Sequence, residues 1–154
     1  MKFINLSQGK KAIVDDKDFE YLSRFKWYFG SRGYAKRYII KNKLRKTVWM
    51  HRSVLNPGLG KQVDHINRNK LDNRFANLRI CSPSQNNWNC GVKRKNNTSG
   101  FKGVSKYKKK WVATIQANRE HIHIGYFKNK VKAAKAYNQA ALKYHGEFAG
   151  LNFL

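Results

Sequence analysis

The spacing of apolar residues in the last third of the chain predicts three short β-strands followed by one helix. Apolar and polar residues alternate over residues 103–107, 111–116 and 121–125, and the gaps between these segments have the length of turns. Residues 130–144 instead show helical spacing, in a stripe formed by Val131, Ala134, Tyr137 and Ala141. We expect an antiparallel sheet packed on this helix, which it contacts through Trp111, Ala113 and Ile115.

The first fifty residues mix both patterns. Residues 11–14 predict a strand, and Asp15-Asp16 then precedes a helix whose apolar side chains are Phe19, Leu22 and Phe25. Residues 34–40 and 46–50 alternate on either side of a turn at 41–43, which predicts a β-hairpin. Its basic side chains either follow a nucleic-acid backbone or are simply solvated, and the sequence leaves both readings open. They are Lys36, Arg37, Lys43, Arg45 and Lys46.

The middle of the chain predicts a short helix over residues 49–55, an Asn-Pro-Gly turn, and then strand, loop, strand and helix. The first strand ends at Asp64-His65, the second covers residues 78–81, and Ser82-Pro83 is typical of a helix start. The predicted fold class is α+β, with a mixed α/β segment at 1–48, a ββα finger at 49–91, a basic linker at 92–99 and a sheet-and-helix domain at 100–154.

The charge of the chain predicts a polyanionic partner. Among 154 residues, 33 are Lys or Arg and 8 are Asp or Glu, which gives a formal net charge of +25 spread along the whole length. Self-repulsion of this size favours binding to nucleic acid, although charge alone fits an RNA-binding protein equally well. No stretch has the apolar length of a signal peptide or a membrane span, so we expect a cytoplasmic protein with no membrane partner.

Three polar residues near the middle of the chain predict a metal-assisted site. Asp64 and Asn86 offer hard oxygen ligands, which suit one Mg²⁺ or Mn²⁺ ion better than zinc. His65 points to the opposite side of an extended strand and can take a proton from an attacking water. Cys81 and Cys90 lack the paired spacing of a structural zinc site, and we expect no small-molecule cofactor. His51 is a second candidate catalytic histidine, for which we favour a structural role.

This stretch resembles the HNH nuclease motif, the ββα-metal finger of phage and intron-encoded homing endonucleases. The resemblance covers residues 51–90. It implies that Asp64 is a metal ligand, His65 the general base and Asn77 the residue that fixes the loop. Asn86 becomes the second metal ligand, at a position where many members of the family have His, and the adjacent Asn87 is the alternative.

The last third resembles the DNA-binding domain of plant ethylene-response (Apetala-type) transcription factors, which phage endonucleases carry as a targeting module. The similar segments are SGFKGVSKYKKKWVATIQ and HIGYFKNKVKAAKAYNQAALKYHGEFAGLNF, within residues 99–153. In that family the sheet enters the major groove. The matching positions imply contacts with DNA by Lys102, Ser105, Tyr107, Lys110, Thr114, Gln116, His121 and His123. Because Ser105, Gln116 and His123 stand where many plant domains have Arg or Trp, the plant target sequence does not transfer.

The sequence therefore predicts a metal-dependent DNA endonuclease of the homing type. A finger with one active site per chain would nick double-stranded DNA as a monomer or weak dimer, in a bacterial or phage-infected cell. Two alternatives remain, a DNA-binding regulator whose finger is no longer catalytic and an RNA-binding protein.

Overall fold

The computed structural model describes residues 1–92 and 97–154, which form two compact units, Met1–Pro83 and Ser84–Leu154. Small antiparallel sheets and short helices alternate along the chain, so the predicted α+β class is confirmed. Residues 93–96 of the predicted linker lie outside the described residues, and the four predicted domain boundaries stay a prediction. No helix in the described ranges is long and apolar enough to cross a membrane.

The first unit begins with a two-stranded sheet. Strand β1 (Lys2–Asn5) pairs antiparallel with β2 (Lys11–Val14), and helix α1 (Asp16–Ser23) follows. The sequence did not predict β1, because Ile4 is its single buried position and one residue gives no alternation to detect. Phe25 lies beyond the end of α1 and packs against the core from the following segment.

A three-stranded sheet follows, in the order β3-β4-β5, with β3 at Tyr28–Phe29, β4 at Ala35–Lys41 and β5 at Leu44–Trp49. Its last two strands are the predicted hairpin. The connecting residues Asn42 and Lys43 both have positive φ, 50° and 62°, which a two-residue turn compatible with strand twist requires. Helix α2 (Met50–Leu55) then ends at Asn56, directly before Pro57.

Apolar side chains from both sheets and from α1 and α2 form one core in the first unit. Trp27 is buried there, and its indole Nε1 donates to the carbonyl oxygen of Leu22 at 2.8 Å, so the only polar atom of the ring is satisfied. The buried members of this core are Ile4, Leu6, Ala12, Val14, Leu22, Trp27, Ala35 and Met50.

The predicted strand–loop–strand–helix segment is present. Strand β6 (Gln62–His65) pairs antiparallel with β7 (Leu78–Cys81), and α3 (Pro83–Asn89) comes next along the chain. The unit boundary falls after Pro83, so the two strands belong to the first unit and nearly all of α3 belongs to the second.

The second unit contains the predicted sheet, in the order β10-β9-β8, and helix α4 (Lys130–His145). The strands are β8 (Val104–Tyr107), β9 (Lys110–Ala117) and β10 (Glu120–Phe127). The prediction that Val131 belongs to the buried stripe of the helix is wrong, because its side chain is 36% exposed. At about 100° per residue, Val131 lies roughly 120° around the helix from the buried Tyr137.

Candidate active site

A single carboxamide closes the loop between β6 and β7. Asn77 is buried, its Oδ1 accepts a hydrogen bond from the backbone N–H of Asn67 at 2.9 Å, and its Nδ2 donates to the carbonyl of Asp72 at 2.8 Å. The N–H of Ile66 adds a bond to the carbonyl of Asn77 at 2.8 Å. Only an amide side chain offers a donor and an acceptor in this arrangement. These are the bonds expected of a residue that fixes the loop.

The same loop contains an ion pair that the sequence did not predict. The carboxylate of Asp72 accepts hydrogen bonds from Nε and Nη2 of Arg74 at 2.8 and 2.6 Å, and from Nδ2 of Asn67 at 2.9 Å. The hydrogen bonds from Arg74 lower the pKa of Asp72. The sequence suggested only turn formers here. An aspartate and an arginine two positions apart gave no signal that distinguishes an ion pair with a buried carboxylate from an ordinary turn.

The loop is joined to the first sheet of the unit. The N–H of Ile13, in β2, donates to the carbonyl of Leu71 at 2.8 Å, and the N–H of Asn73 donates to the carbonyl of Ile13 at 2.8 Å. Asp15, just after β2, accepts a hydrogen bond from the N–H of Phe75 at 2.7 Å. The N-terminal segment therefore supports the loop of the finger directly.

Asp64 faces an arginine across the two-stranded sheet. Its register partner in β7 is Arg79, whose Nε and Nη2 donate to Oδ2 of Asp64 at 2.9 and 2.7 Å. The two side chains are only 6% and 13% exposed, so this charge-assisted pair is largely removed from water. Arg79 was missed because it lies 15 residues from Asp64 in sequence and meets it only through the strand register.

His65 is buried beside Asp64, with 4% of its surface exposed. Its Nε2 lies 3.4 Å from Oδ1 of Asn73, and its ring packs against Tyr34 and His51 with centroid distances of 5.7 and 5.2 Å. Burial lowers the pKa of His65, and the Asn73 contact and the Asp64 charge oppose that shift. The imidazole is therefore neutral near pH 7, which is the form that accepts a proton.

His51, on α2, packs edge-on against His65 and stacks on Trp49 at a centroid distance of 6.3 Å. It is 8% exposed, and its buried Nδ1 has no hydrogen-bond partner among the residues that the structure describes. Burial lowers its pKa to about 3, with smaller contributions from the positive charges of His65 and Arg52. The structural role that we favoured for His51 stays a prediction. The cluster of Tyr34, Trp49, His51 and His65 was not predicted, because its members come from separate elements.

The structure brings Asp64, His65 and Asn77 together in the first unit, whereas Asn86 and Asn87 lie on α3 in the second. Across residues 1–92 and 97–154, no three His, Cys, Asp or Glu side chains form a group that could hold a metal ion. A ligand set built only from those residue types is therefore not available here. The proposed pair of one carboxylate and one carboxamide would have to be completed by water and phosphate oxygens.

The free face of the sheet in the second unit carries most of the residues predicted to contact DNA. Gln116 is the register partner of His121, and Thr114 is the partner of His123. Partners across an antiparallel pair share a face, so these side chains lie side by side. Tyr126, which the sequence did not suggest, adds its ring at 4.6 Å from His123 and 5.6 Å from Tyr107. Lys102 instead donates its Nζ to the carbonyl of Trp88.

Two paired strands, the first ending in Asp-His, a loop closed by a buried asparagine and a following helix define the class of ββα nuclease fingers. The family model for HNH endonucleases matches residues 57–88, which include Asp64, His65, Asn77 and Asn86. An uncharacterized HNH endonuclease of Acanthamoeba polyphaga mimivirus is 32% identical over 155 residues, covering 97% of this chain and 80% of that protein. Protein 3.8 of Escherichia phage T7 is 33% identical over 92 residues, covering 58% of this chain and 74% of that protein.

The chain belongs to the HNH endonuclease family, and it is a nuclease. Enzymes of this family generally depend on a divalent metal ion. The prediction of an HNH enzyme is thereby confirmed.

Proposed function

We propose that this protein is a DNA endonuclease of the homing type that nicks one strand of duplex DNA, with one Mg²⁺ or Mn²⁺ ion per active site. The observation that carries the proposal is the adjacent pair Asp64-His65 on β6, both buried, beside a loop that Asn77 closes. Burying a carboxylate or an imidazole costs free energy unless the group is paired. An ordinary turn does not need two such groups buried side by side, so their joint burial supports a functional role.

Asp64 is proposed as the metal ligand of the first unit, with Asn86 of α3 as the second protein ligand and Asn87 as the alternative. An ionised carboxylate and a carboxamide are hard oxygen donors that suit Mg²⁺ or Mn²⁺. Arg79 donates two hydrogen bonds to Oδ2 of Asp64, so a metal ion would share this carboxylate with a guanidinium group. A bound divalent ion would supply charge stabilisation to the phosphate under attack.

His65 is proposed as the general base. Its low pKa keeps it neutral, and the contact with Asn73 and the packing on His51 and Tyr34 restrict its ring orientation. A restricted, neutral imidazole takes a proton from water more effectively than a mobile or protonated one.

The free face of the β8–β10 sheet is proposed to bind DNA, in the manner of the Apetala-type domain that residues 99–153 resemble. In support of this role, Ser105, Tyr107, Lys110, Gln116, His121 and His123 are all exposed, and Thr114 is half-buried. Lys102 is the weakest member of the set, because its ammonium group is engaged by the carbonyl of Trp88. One finger per chain would give one cut per binding event, by a monomer or weak dimer in the cytoplasm of a bacterial or phage-infected cell.

A plasmid-nicking assay tests this function. Supercoiled plasmid incubated with the protein and Mg²⁺ or Mn²⁺ should be converted to the open circular form, and chelation of the metal should stop the reaction. His65→Ala and Asp64→Ala should each lower the nicking rate at least about 10²-fold, within the range of general acid–base contributions. Glu20→Gln, which removes an exposed carboxylate of α1, is the matched control and should cut normally. Unchanged cleavage by both site variants would show that these two residues do not have the proposed roles.

A further inference from the structure

We propose that the β4–β5 hairpin is a second DNA-contacting element, an arm that lies in the major groove of the duplex. The proposal deepens the proposed function, because it assumes that the substrate is duplex DNA. It concerns residues 39–47, which we call the arm. The arm belongs to the first unit and is separate from the sheet of the C-terminal unit.

The arm extends beyond the core that supports the base of the hairpin. Ala35 at the start of β4 is buried, and Val48 near the end of β5 packs against the core of the first unit. Every residue from 39 to 47 is exposed, although successive side chains of a strand point to opposite faces. Both faces of this ribbon are therefore in contact with solvent. A two-stranded ribbon without a packed face is only marginally stable by itself, so a binding partner is a reason to keep one.

The arm exposes large apolar side chains, which have no role in a hairpin that contacts only solvent. Ile40 is 73% exposed and Leu44 is 76% exposed, and Ile39 adds a third at 40%. Exposed apolar residues on an open strand pair invite aggregation unless charge or a partner covers them. Solvated charge explains the lysines of this hairpin but gives no role to Ile40 and Leu44.

Each of these apolar residues has a cation as its register partner. Ile39 is opposite Lys46, Ile40 is opposite Arg45, and Leu44 is opposite Lys41. The chain contains no Asp or Glu between Glu20 and Asp64, so no acidic side chain of the hairpin offsets this charge. Arg45 is held in place, with its guanidinium 3.4 Å from the centroid of the Tyr38 ring. A polyanion with apolar surface between its charges matches this pattern, and duplex DNA is such a partner.

The width of the ribbon selects the groove. Two strands about 4.8 Å apart with their side chains form a ribbon roughly 10 Å across. The major groove is about 12 Å wide and admits a two-stranded ribbon, whereas the minor groove is about 6 Å wide and does not. In the major groove the basic residues reach the phosphates on both sides. Ile39 and Leu44, which share one face of the ribbon, then face base edges, where thymine methyl groups offer apolar contacts.

The salt dependence of binding tests the charged part of the arm, with the full-length chain and a 30-base-pair duplex in the absence of metal. We expect Lys41→Gln/Lys43→Gln to reduce the slope of log K against log salt by about 1.8, since each phosphate contact contributes about 0.9. Lys10→Gln/Lys17→Gln removes two exposed lysines of the same unit and is the matched control, which should change the slope much less. Equal slopes for the two double variants would overturn the proposal.

Groove placement has its own measurement. Bound protein should protect guanine N7, which lies in the major groove, from methylation by dimethyl sulfate, and Ile39→Asn/Leu44→Asn should lose part of that protection. Duplex RNA should compete poorly, because its major groove is deep and narrow. Unchanged protection, or RNA that competes as well as DNA, would refute the arm. Because no cleavage is measured, these results are independent of the roles assigned to Asp64 and His65.

Discussion

The buried imidazole of His51 should make the first unit unstable in mild acid. Burial lowers the pKa of His51 from 6.5 to about 3, so the folded protein keeps it neutral while the unfolded chain protonates it. Between about pH 3 and pH 6.5 the unfolded state binds more protons, and the free energy of unfolding therefore rises with pH. The stabilisation is complete above pH 6.5 and is lost as the pH falls through this window.

The size of the effect follows from the pKa difference. A pH of 5 is about 1.5 units below the pKa of the imidazole in the unfolded chain, and each unit changes the free energy of unfolding by about 1.4 kcal/mol. His51 alone should therefore reduce the stability of the unit by about 2 kcal/mol between pH 7 and pH 5. His65 also has a pKa lowered by burial and adds a loss in the same direction. Its contribution remains when His51 is replaced.

Urea unfolding at the two pH values measures this loss, followed by the NMR signal of the Trp27 indole N–H, which is buried in the first unit. His51→Leu should make the difference between pH 7 and pH 5 smaller by about 2 kcal/mol, because leucine cannot titrate. His121→Leu, at an exposed position in the other unit, is the control and should leave the difference unchanged. The same pH dependence in His51→Leu and the unmodified protein would refute the reasoning.

Three further substitutions test the packing of the two units. Asn77→Leu should destabilise the first unit by about 2–4 kcal/mol in urea unfolding. It removes two hydrogen bonds and leaves the N–H of Asn67 and the carbonyl of Asp72 without this partner. A loss below about 1 kcal/mol would contradict the assigned bonding. Arg79→Met should cost about 3 kcal/mol or more, because the buried Asp64 loses its cation, and the double variant Arg79→Met/Asp64→Leu should recover much of that loss. Gly103→Ala should destabilise the second unit by at least about 2 kcal/mol more than Gly100→Ala. Both positions have positive φ, but only at Gly103 would a Cβ overlap the ring of Tyr137. Thermal unfolding followed by circular dichroism compares the stabilities of the two variants.

Local patterns predicted most of the regular structure. The hairpin, the finger strands and the C-terminal sheet each contain several residues with a clear period, and all of them are present within two residues of the expected bounds. β1 and β3 were missed for a physical reason. β1 has four residues with one buried side chain and β3 has only two residues, so neither shows a periodic pattern. Each is a strand only because it pairs with a neighbouring strand.

The residues around the candidate site were harder to predict, because their contacts depend on register and on packing between elements. Asp64 and His65 could be identified from the sequence, but the partner of Asp64 depends on β6 and β7 pairing in one register rather than the next. The ring cluster brings Tyr34 from before β4 together with His51 from α2. Nothing in either local segment indicates that the two meet.

The pairing of Asp64 with Arg79 bears directly on how a metal could enter the site. The Arg79 guanidinium donates two hydrogen bonds to one oxygen of a carboxylate that is almost fully buried. Arg79 therefore occupies part of the carboxylate that a divalent ion would need. A metal ion would bind by sharing Asp64 with Arg79 or by displacing it, so Arg79 belongs to the proposed site as much as the two ligands do.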